Sequence, residues 1–400
     1  MQRSVAIIAS VVVVLSVLTG FSGAAVAAGQ DVSHTSAVDC SFPVSSVDAT
    51  GTNVTVSEEP DRVVVLGPSA AQTMWEIGAK EKVVGMPVNF FTAYLNGSEN
   101  RTNVVKQDGS PIAETIVGEE PDIVLAPNIV QNDTVESLRE RGLTVYRFET
   151  AKSLSDVYNK TELTGRLVGN FDTAAQVSAE MDGKVSAIRS AVEGEQEPRV
   201  YYNLGGGWTA GPDSFIGQMI ATAGGQNIAA GNINKSYAPL SSEIILEEDP
   251  EWIVNPAGTP LPENEGINKS TAVQADQIVS VNTNYINQPG PRNVQPLRKI
   301  AAALHPDAME GLNLDTVETP EPTICASDVT PTPTASPTPT DSPTDSMGDD
   351  TTTQTDSPAD SMADGTTGTE TGTAVNGPGF SMAVTAVAVL ALAVVLGRRE

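Results

Sequence analysis

Ser153-Leu154-Ser155-Asp156-Val157-Tyr158 opens a stretch that runs without proline to Ser190-Ala191-Val192. Apolar residues recur in it at helical spacing: Leu154, Val157 and Tyr158, then Leu163, Leu167, Val168 and Phe171, then Val177, Met181, Val185, Ile188 and Val192. That period predicts about forty residues of helix, with a break allowed at Gly169-Asn170. On both sides the pattern changes. Upstream, the short apolar runs Arg62 to Leu66, Val83 to Gly85, Ile112 to Val117, Asp122 to Ala126 and Thr144 to Phe148 alternate with helical patterns over Ser69 to Ala79 and Thr134 to Arg141. Downstream, Val200 to Leu204 and Trp252 to Val254 alternate with helical patterns over Ser214 to Ala223, Glu243 to Leu246 and Val294 to Leu304. Unbroken Val/Ile runs belong to strands covered on both faces, as in a parallel sheet with helices above and below. The expected fold is therefore α/β, with two parallel-sheet lobes joined by a single long helix and a ligand cleft between the lobes. The N-terminal lobe spans 40–150, the bridge 151–195 and the C-terminal lobe 196–325.

The ends of the chain place this body outside the cell. Arg3, the apolar Val5 to Leu18 and the small residues Ala24 to Ala28 form a secretory signal, expected over 1–28. No cysteine follows the small residues, which argues against a bacterial-type lipoprotein signal. After the body, 326–376 is Thr, Ser, Pro, Asp and Gly with almost nothing apolar, a composition that cannot offset chain entropy by burial and reads as an extended stalk. The segment 377–400 then holds Gly377-Pro378-Gly379-Phe380, an apolar run to Leu396, and Arg398-Arg399. It resembles the tripartite Pro-Gly-Phe sorting signal of archaeal surface proteins, which implies cleavage by an archaeosortase and replacement by lipid. The alternative is a C-terminal transmembrane helix with a basic stop, short against the roughly 20 residues a bilayer needs. Both tether the chain to the membrane. Seven glycosylation sequons, at Asn53, Asn96, Asn100, Asn132, Asn159, Asn234 and Asn268, suit a surface glycoprotein.

A formal charge of -28, from 50 acids against 22 Lys plus Arg, leaves no basic stripe for a nucleic acid. The excess is spread over the body as well as the tail, as on the solvated acidic surface of a halophile's protein. Cys40 and Cys325 bracket the body, and in an oxidising compartment such a pair predicts a disulfide joining the ends of the domain; two free buried thiols are the alternative. His34 and His305, the two histidines, lie in the segment after the signal and at a helix end before Pro306, so converging ligands for a bare zinc or manganese ion are not apparent and no metal site is expected. Gly205-Gly206-Gly207 lacks the Lys-Ser/Thr of a phosphate-binding loop, and no enzyme signature is present.

Several segments together carry a family resemblance: Pro60 to Ser69, Ile77-Gly78-Ala79, Val83-Val84-Gly85, Glu120 to Val124, Thr222 to Asn227 and Glu248 to Val254. In order and spacing they resemble the cobalamin and iron-chelate substrate-binding proteins of ABC importers, over roughly residues 55 to 310. The resemblance implies two lobes bridged by a rigid helix, no catalysis, no permanently bound cofactor, a corrinoid or iron chelate as cargo, and an ABC permease with its ATPase subunits as partners. It also implies one acidic residue at the outer tip of each lobe that pairs with permease arginines. By position these are Glu114 and Glu243, each seven residues before the Pro of a strand motif. Without the resemblance each is an ordinary acid in a first helical turn.

Open α/β sheets bind ligands at the loops beyond their strand ends. The candidates on the N-terminal side are Pro68, Ser69, Phe90, Phe91, Tyr94 and Asn128; across the cleft stand Trp208, Tyr237 and the segment Asn287 to Arg292, of which Arg292 is the charged member. Aromatics are only 4% of the chain, so their clustering in loops points to a flat apolar ligand, and adjacent glycines let such a ligand approach the backbone. A corrinoid fits this best. A ferric siderophore or haem is the alternative cargo, although a carboxylate-rich siderophore needs cations and the loops offer few beyond Arg101, Lys106 and Arg292. A structural or adhesion domain is the alternative of another class, since it would share the stalk and anchor but need neither tip acids nor a cleft.

Overall fold

The computed structural model describes residues 37–325, so the signal, His34, the stalk and the sorting signal lie outside the described residues. Strand β1 (Ala37–Val38) enters the domain, and β2 (Val44–Val47) and β3 (Asn53–Val56) form an antiparallel hairpin.

The first sheet is five-stranded and parallel throughout. It contains β4 (Val63–Val65), β5 (Val83–Met86), β6 (Thr102–Asn103), β7 (Ile123–Ala126) and β8 (Val145–Arg147), in the order β6-β5-β4-β7-β8. Helix α1 (Pro68–Glu76) follows β4, α2 (Ala113–Gly118) leads into β7, and α3 (Asn132–Glu140) links β7 to β8. The valine run of β4 explains itself here: Val63 and Val65 pack with Ala70, Ala71 and Met74 of α1, whereas Val64 packs with Ile116 of α2 and Leu138 of α3. All three valines are fully buried, so alternation with polar residues would have left one face of the sheet unsatisfied. Gly67 makes the turn into α1 possible, because a Cβ there would sit 2.5 Å from the Pro127 ring, and Pro68 starts the helix where its missing N–H costs nothing.

The predicted helical stretch is helical, and it breaks at Gly169-Asn170. Helix α4 (Leu154–Val168) starts with a Ser153/Asp156 capping box and ends at Gly169, whose φ of 77° is the left-handed conformation glycine adopts without penalty. Helix α5 (Phe171–Val192) then packs back along α4, close enough that a side chain at Gly165 would collide with Ala174. Both helices link the lobes. Leu154 and Val157 at the start of α4 belong to the C-terminal core, and Leu167 and Val168 at its end to the N-terminal core. Helix α5 reverses this, with Ala174 in the N-terminal core and Met181, Val185, Ile188 and Val192 in the C-terminal one. The 151–195 bridge is thus a two-helix hairpin in which α5, 22 residues and about 33 Å long, is the longer strut.

The second sheet is also parallel. It is built from β9 (Arg199–Tyr202), β11 (Gln226–Asn227), β13 (Trp252–Pro256) and β14 (Ile278–Val281) in the order β11-β9-β13-β14, with β10 (Trp208–Ala210) and β12 (Tyr237–Pro239) forming a separate antiparallel pair. Helices α6 (Phe215–Thr222), α7 (Ser242–Glu248), α8 (Glu265–Lys269), α9 (Thr271–Gln274), α10 (Thr283–Asn287), α11 (Val294–Leu304) and α12 (Pro306–Met309) complete the lobe. Again one strand serves two cores: Val200 and Tyr202 pack with α5, α6 and α11, and Tyr201 with Ile245 of α7 and Ile267 of α8. Finally β15 (Ile324–Cys325) pairs parallel with β1, and Cys40 is disulfide-bonded to Cys325 across a separation of 285 residues. The bridge packs on Phe171 and Ala175, pinning both ends of the domain to the start of α5.

Candidate ligand cleft and lobe tips

Because each sheet is parallel, its loops after the strands gather on one edge. In the N-terminal lobe these are Gly67 to Ser69 after β4, Phe90 to Tyr94 after β5 and Asn128-Ile129 after β7. In the C-terminal lobe they are Gly205 to Gly207 after β9 and the 282–293 segment after β14. The two edges meet where Tyr94 packs edge-on against Tyr285 at 5.4 Å between ring centroids.

The meeting point is a polar seam. Gln72 Nε2 donates to the Tyr94 phenol at 2.8 Å, and that phenol donates to Gln288 Oε1 at 2.8 Å. Gln288 Nε2 returns a bond to the Phe91 carbonyl at 2.9 Å. The Arg292 amide donates to Gln72 Oε1 at 3.0 Å, while its guanidinium pairs with Glu76 at 2.6 Å and lies over the rings of Tyr94 and Tyr285 at 5.2 and 5.4 Å. Burial pushes the Tyr94 phenol up, so it remains a donor at neutral pH. Behind the seam, the half-buried Lys160 donates to the Pro289 carbonyl at 2.8 Å, and desolvation depresses its ammonium to about 8.

The sequence candidates fall into two groups. Phe90 is 67% exposed, with Phe91 beside it edge-on at 5.6 Å, and Ile129, which sequence reasoning passed over for its neighbour Asn128, is 58% exposed. These present apolar surface at the cleft edge. Trp208 is half-buried and follows three glycines that all adopt positive φ, 97°, 59° and 80°. Pro68 and Ser69 sit at the start of α1 on the same edge as Phe90.

The other group is committed to structure. Arg292 and Tyr94 hold the lobes together through the seam. The Asn128 carbonyl accepts from Arg147 at 2.9 Å. Tyr237 packs against the C-terminal core; burial pushes its phenol up to about 12, and a bond with Ser214 partly offsets this. Gln72, Glu76 and Tyr285 carried no local signal, because their partners across the seam lie far away in the chain; Gln288 fell inside the 287–292 candidate segment without being singled out. His305 bonds the Gly224 carbonyl through Nε2 at 3.0 Å, a helix-end role. A cavity of about 310 Å³ adjoins the seam on its Glu76–Arg292 side, between α1, α5 and α11, lined also by Glu180, Lys184 and Arg298 among others, with no contribution from Phe90, Phe91, Ile129 or Trp208.

The two segments that carry the candidate tip acids are built from the same parts. Glu114 and Glu243 are exposed in the first turns of α2 and α7, and each helix buries a single isoleucine, Ile116 and Ile245. Each helix exits through a non-glycine residue at positive φ, Glu120 at 46° and Asp249 at 41°, before Pro121 and Pro250. Arg62 Nε caps the end of α2 by donating to the Glu119 carbonyl at 2.8 Å, and Arg199 Nε caps α7 through the Glu248 carbonyl at 2.8 Å. The Arg62 amide is held by Asp122 at 2.8 Å and the Arg199 amide by Glu251 at 2.9 Å. Around Glu114 the nearest cation is Arg141 at 4.0 Å. The Glu243 carboxyl is held below the usual range by hydrogen bonds from its own backbone amide and the Ser241 hydroxyl, so it stays ionised.

Comparison with known proteins places this geometry in a family. A family profile described as periplasmic binding protein matches residues 63–284. The chain belongs to that family and is a substrate-binding protein of an ABC importer; such proteins bind a small molecule and deliver it to a permease, and the family is not enzymatic. A cobalamin-binding protein of Halobacterium salinarum is 46% identical over 281 residues, covering 66% of this chain and 75% of the relative. Among solved structures, the vitamin B12 binding protein of Vibrio cholerae superposes with a TM-score of 0.55 at 21% identity, over 63% of this chain and 98% of that one. A heme-binding protein from Roseiflexus does so at 0.56 and 22% identity, over 62% and 99%.

Proposed function

We propose that the protein captures a corrinoid of the cobalamin type between its lobes and docks through Glu114 and Glu243 on an ABC permease at the outer face of the membrane. The observation that carries the ligand class is the apolar surface of Phe90, Phe91 and Ile129 on one cleft edge, opposite the glycine run and Trp208 on the other. A flat macrocycle supplies faces for such groups, and the glycines let it reach the backbone. Of the cations near the cleft, Arg292 is engaged by Glu76, Arg101 by Glu81 at 3.1 Å and Arg147 by loop carbonyls, while Lys106 stands exposed, a single lysine rather than a converging set. That disfavours a carboxylate-rich siderophore, which would demand converging free cations. Haem remains the second reading, since the fold is shared with heme-binding proteins. Titration of the purified protein with cyanocobalamin, hemin and a ferric siderophore, followed by absorbance and calorimetry, tests this. Tight binding of cyanocobalamin alone is expected, and preference for hemin or the siderophore would overturn the corrinoid.

In the same reading the cargo is released rather than retained, and no cofactor is permanently bound. The chain is secreted after removal of 1–28 and held by its C-terminal segment, with cleavage after the Pro-Gly-Phe motif and lipid attachment; recovery from membranes of a peptide ending in Glu400 would return the anchor to a plain transmembrane helix. All seven sequon asparagines are exposed, which supports glycosylation, and the acidic surface suits a protein working in molar salt.

A further inference from the structure

Six large apolar residues are exposed among the described residues, and two of them fall on helices: Val117, 36% exposed, on α2 and Leu246, 43% exposed, on α7. Each lies three residues after its tip glutamate, hence on the same helix face. The two positions are equivalent in the repeat already described, since Glu114, Ile116, Val117 and Pro121 correspond to Glu243, Ile245, Leu246 and Pro250 at one constant spacing along the chain. The exposed apolar side chain is therefore part of the duplicated tip and not an isolated surface residue.

We propose that Val117 and Leu246 are apolar anchors of a two-part docking patch, and that the permease presents a matching surface twice, one cation beside one apolar hollow on each of two symmetry-related subunits. This rests on the docking role proposed for Glu114 and Glu243. Charge complementarity selects the cation, because each tip offers an exposed acidic side chain; the duplication in register selects a two-fold partner, since one patch repeated on two lobes fits one surface repeated on two subunits. The apolar half has a physical reason. Exposed ion pairs are weak and screened, with a Debye length of about 3 Å at 1 M salt, whereas apolar contact persists in salt. A tip that relied on its carboxylate alone would lose its grip as salt rises.

The test uses the full chain and its permease–ATPase complex in nanodiscs, with docking measured at about 0.15 M and about 2 M potassium chloride and cyanocobalamin binding measured on every variant. Val117→Ser/Leu246→Ser is expected to weaken docking at least tenfold at both salt concentrations, with cyanocobalamin affinity unchanged. Each single variant should contribute a comparable share, and Val117→Leu, which enlarges the patch, should tighten docking. Glu114→Gln/Glu243→Gln should lose docking chiefly at low salt. Loss in the glutamate variant with none in the serine variant would overturn the apolar anchors and leave the tip reading intact. Full docking by both variants, or no docking by the unaltered protein, would overturn the tip reading and the anchors with it.

Discussion

The phenol of Tyr94 and the amide of Gln288 share a 2.8 Å hydrogen bond across the boundary between the lobes, although 194 positions separate them in the chain. The same phenol accepts from Gln72, so one oxygen ties helix α1 to the segment after β14. Tyr94→Phe removes both bonds at once and leaves two buried amides, Gln72 and Gln288, each short of a partner. Unfolding free energy should fall by about 1–3 kcal/mol, read from the urea midpoint at constant salt. No change in the midpoint would mean that the seam adds nothing to the association of the lobes.

Lys160 gives the protein a pH dependence of definite sign. Its folded-state pKa is depressed to about 8 by desolvation, while the unfolded chain returns it to the ordinary lysine value near 10.4. Between those values the unfolded state binds more protons, so stability should rise as pH climbs from about 8 to about 10.4. Lys160→Met should remove that rise. Parallel stability curves for the two proteins through this window would refute the assignment.

Reduction of the Cys40–Cys325 bridge releases a constraint across 285 residues. On the chain-entropy account the Cys40→Ser/Cys325→Ser variant should be less stable by up to about 5 kcal/mol. Thermal unfolding in high salt, with and without reductant, measures it; identical midpoints for the variant and the oxidised protein would contradict a stabilising bridge.

Two helices, each rooted in both cores, resist bending more than extended hinge strands do. Adding cyanocobalamin should therefore change the radius of gyration by less than the error of solution scattering. A clear contraction would show that the α4–α5 hairpin bends.

The α/β class and both sheets were legible because strands buried on two faces must be runs such as Val63-Val64-Val65, and the helical period over 153–192 was equally plain. So was the break at Gly169, since glycine before a capping-type residue ends helices. The bridge's doubling was not, because the packing of Gly165 on Ala174 is decided by small residues that also read as ordinary helix. The site was read in part. Sequence marks Arg292 as a charge and Tyr237 as an aromatic, but says nothing of Glu76 or Ser214, the partners that occupy them. Gln72 was invisible for the same reason, and Gln288 was covered only as part of the 287–292 segment, an unremarkable amide until the fold brings it to Tyr94. Glu114 and Glu243 could be paired through motif spacing, whereas the arginines that cap their helices, Arg62 and Arg199, only declare that role in three dimensions.

The paired struts also bear on traffic at the membrane. If the hairpin holds the tips at one separation whether or not the cleft is filled, distance between tips cannot tell a permease which carriers are loaded. Empty carriers would then occupy docking sites as readily as full ones, and throughput would depend on the ratio of carriers to permeases as much as on affinity for cargo. Raising carrier abundance without raising cargo should slow uptake.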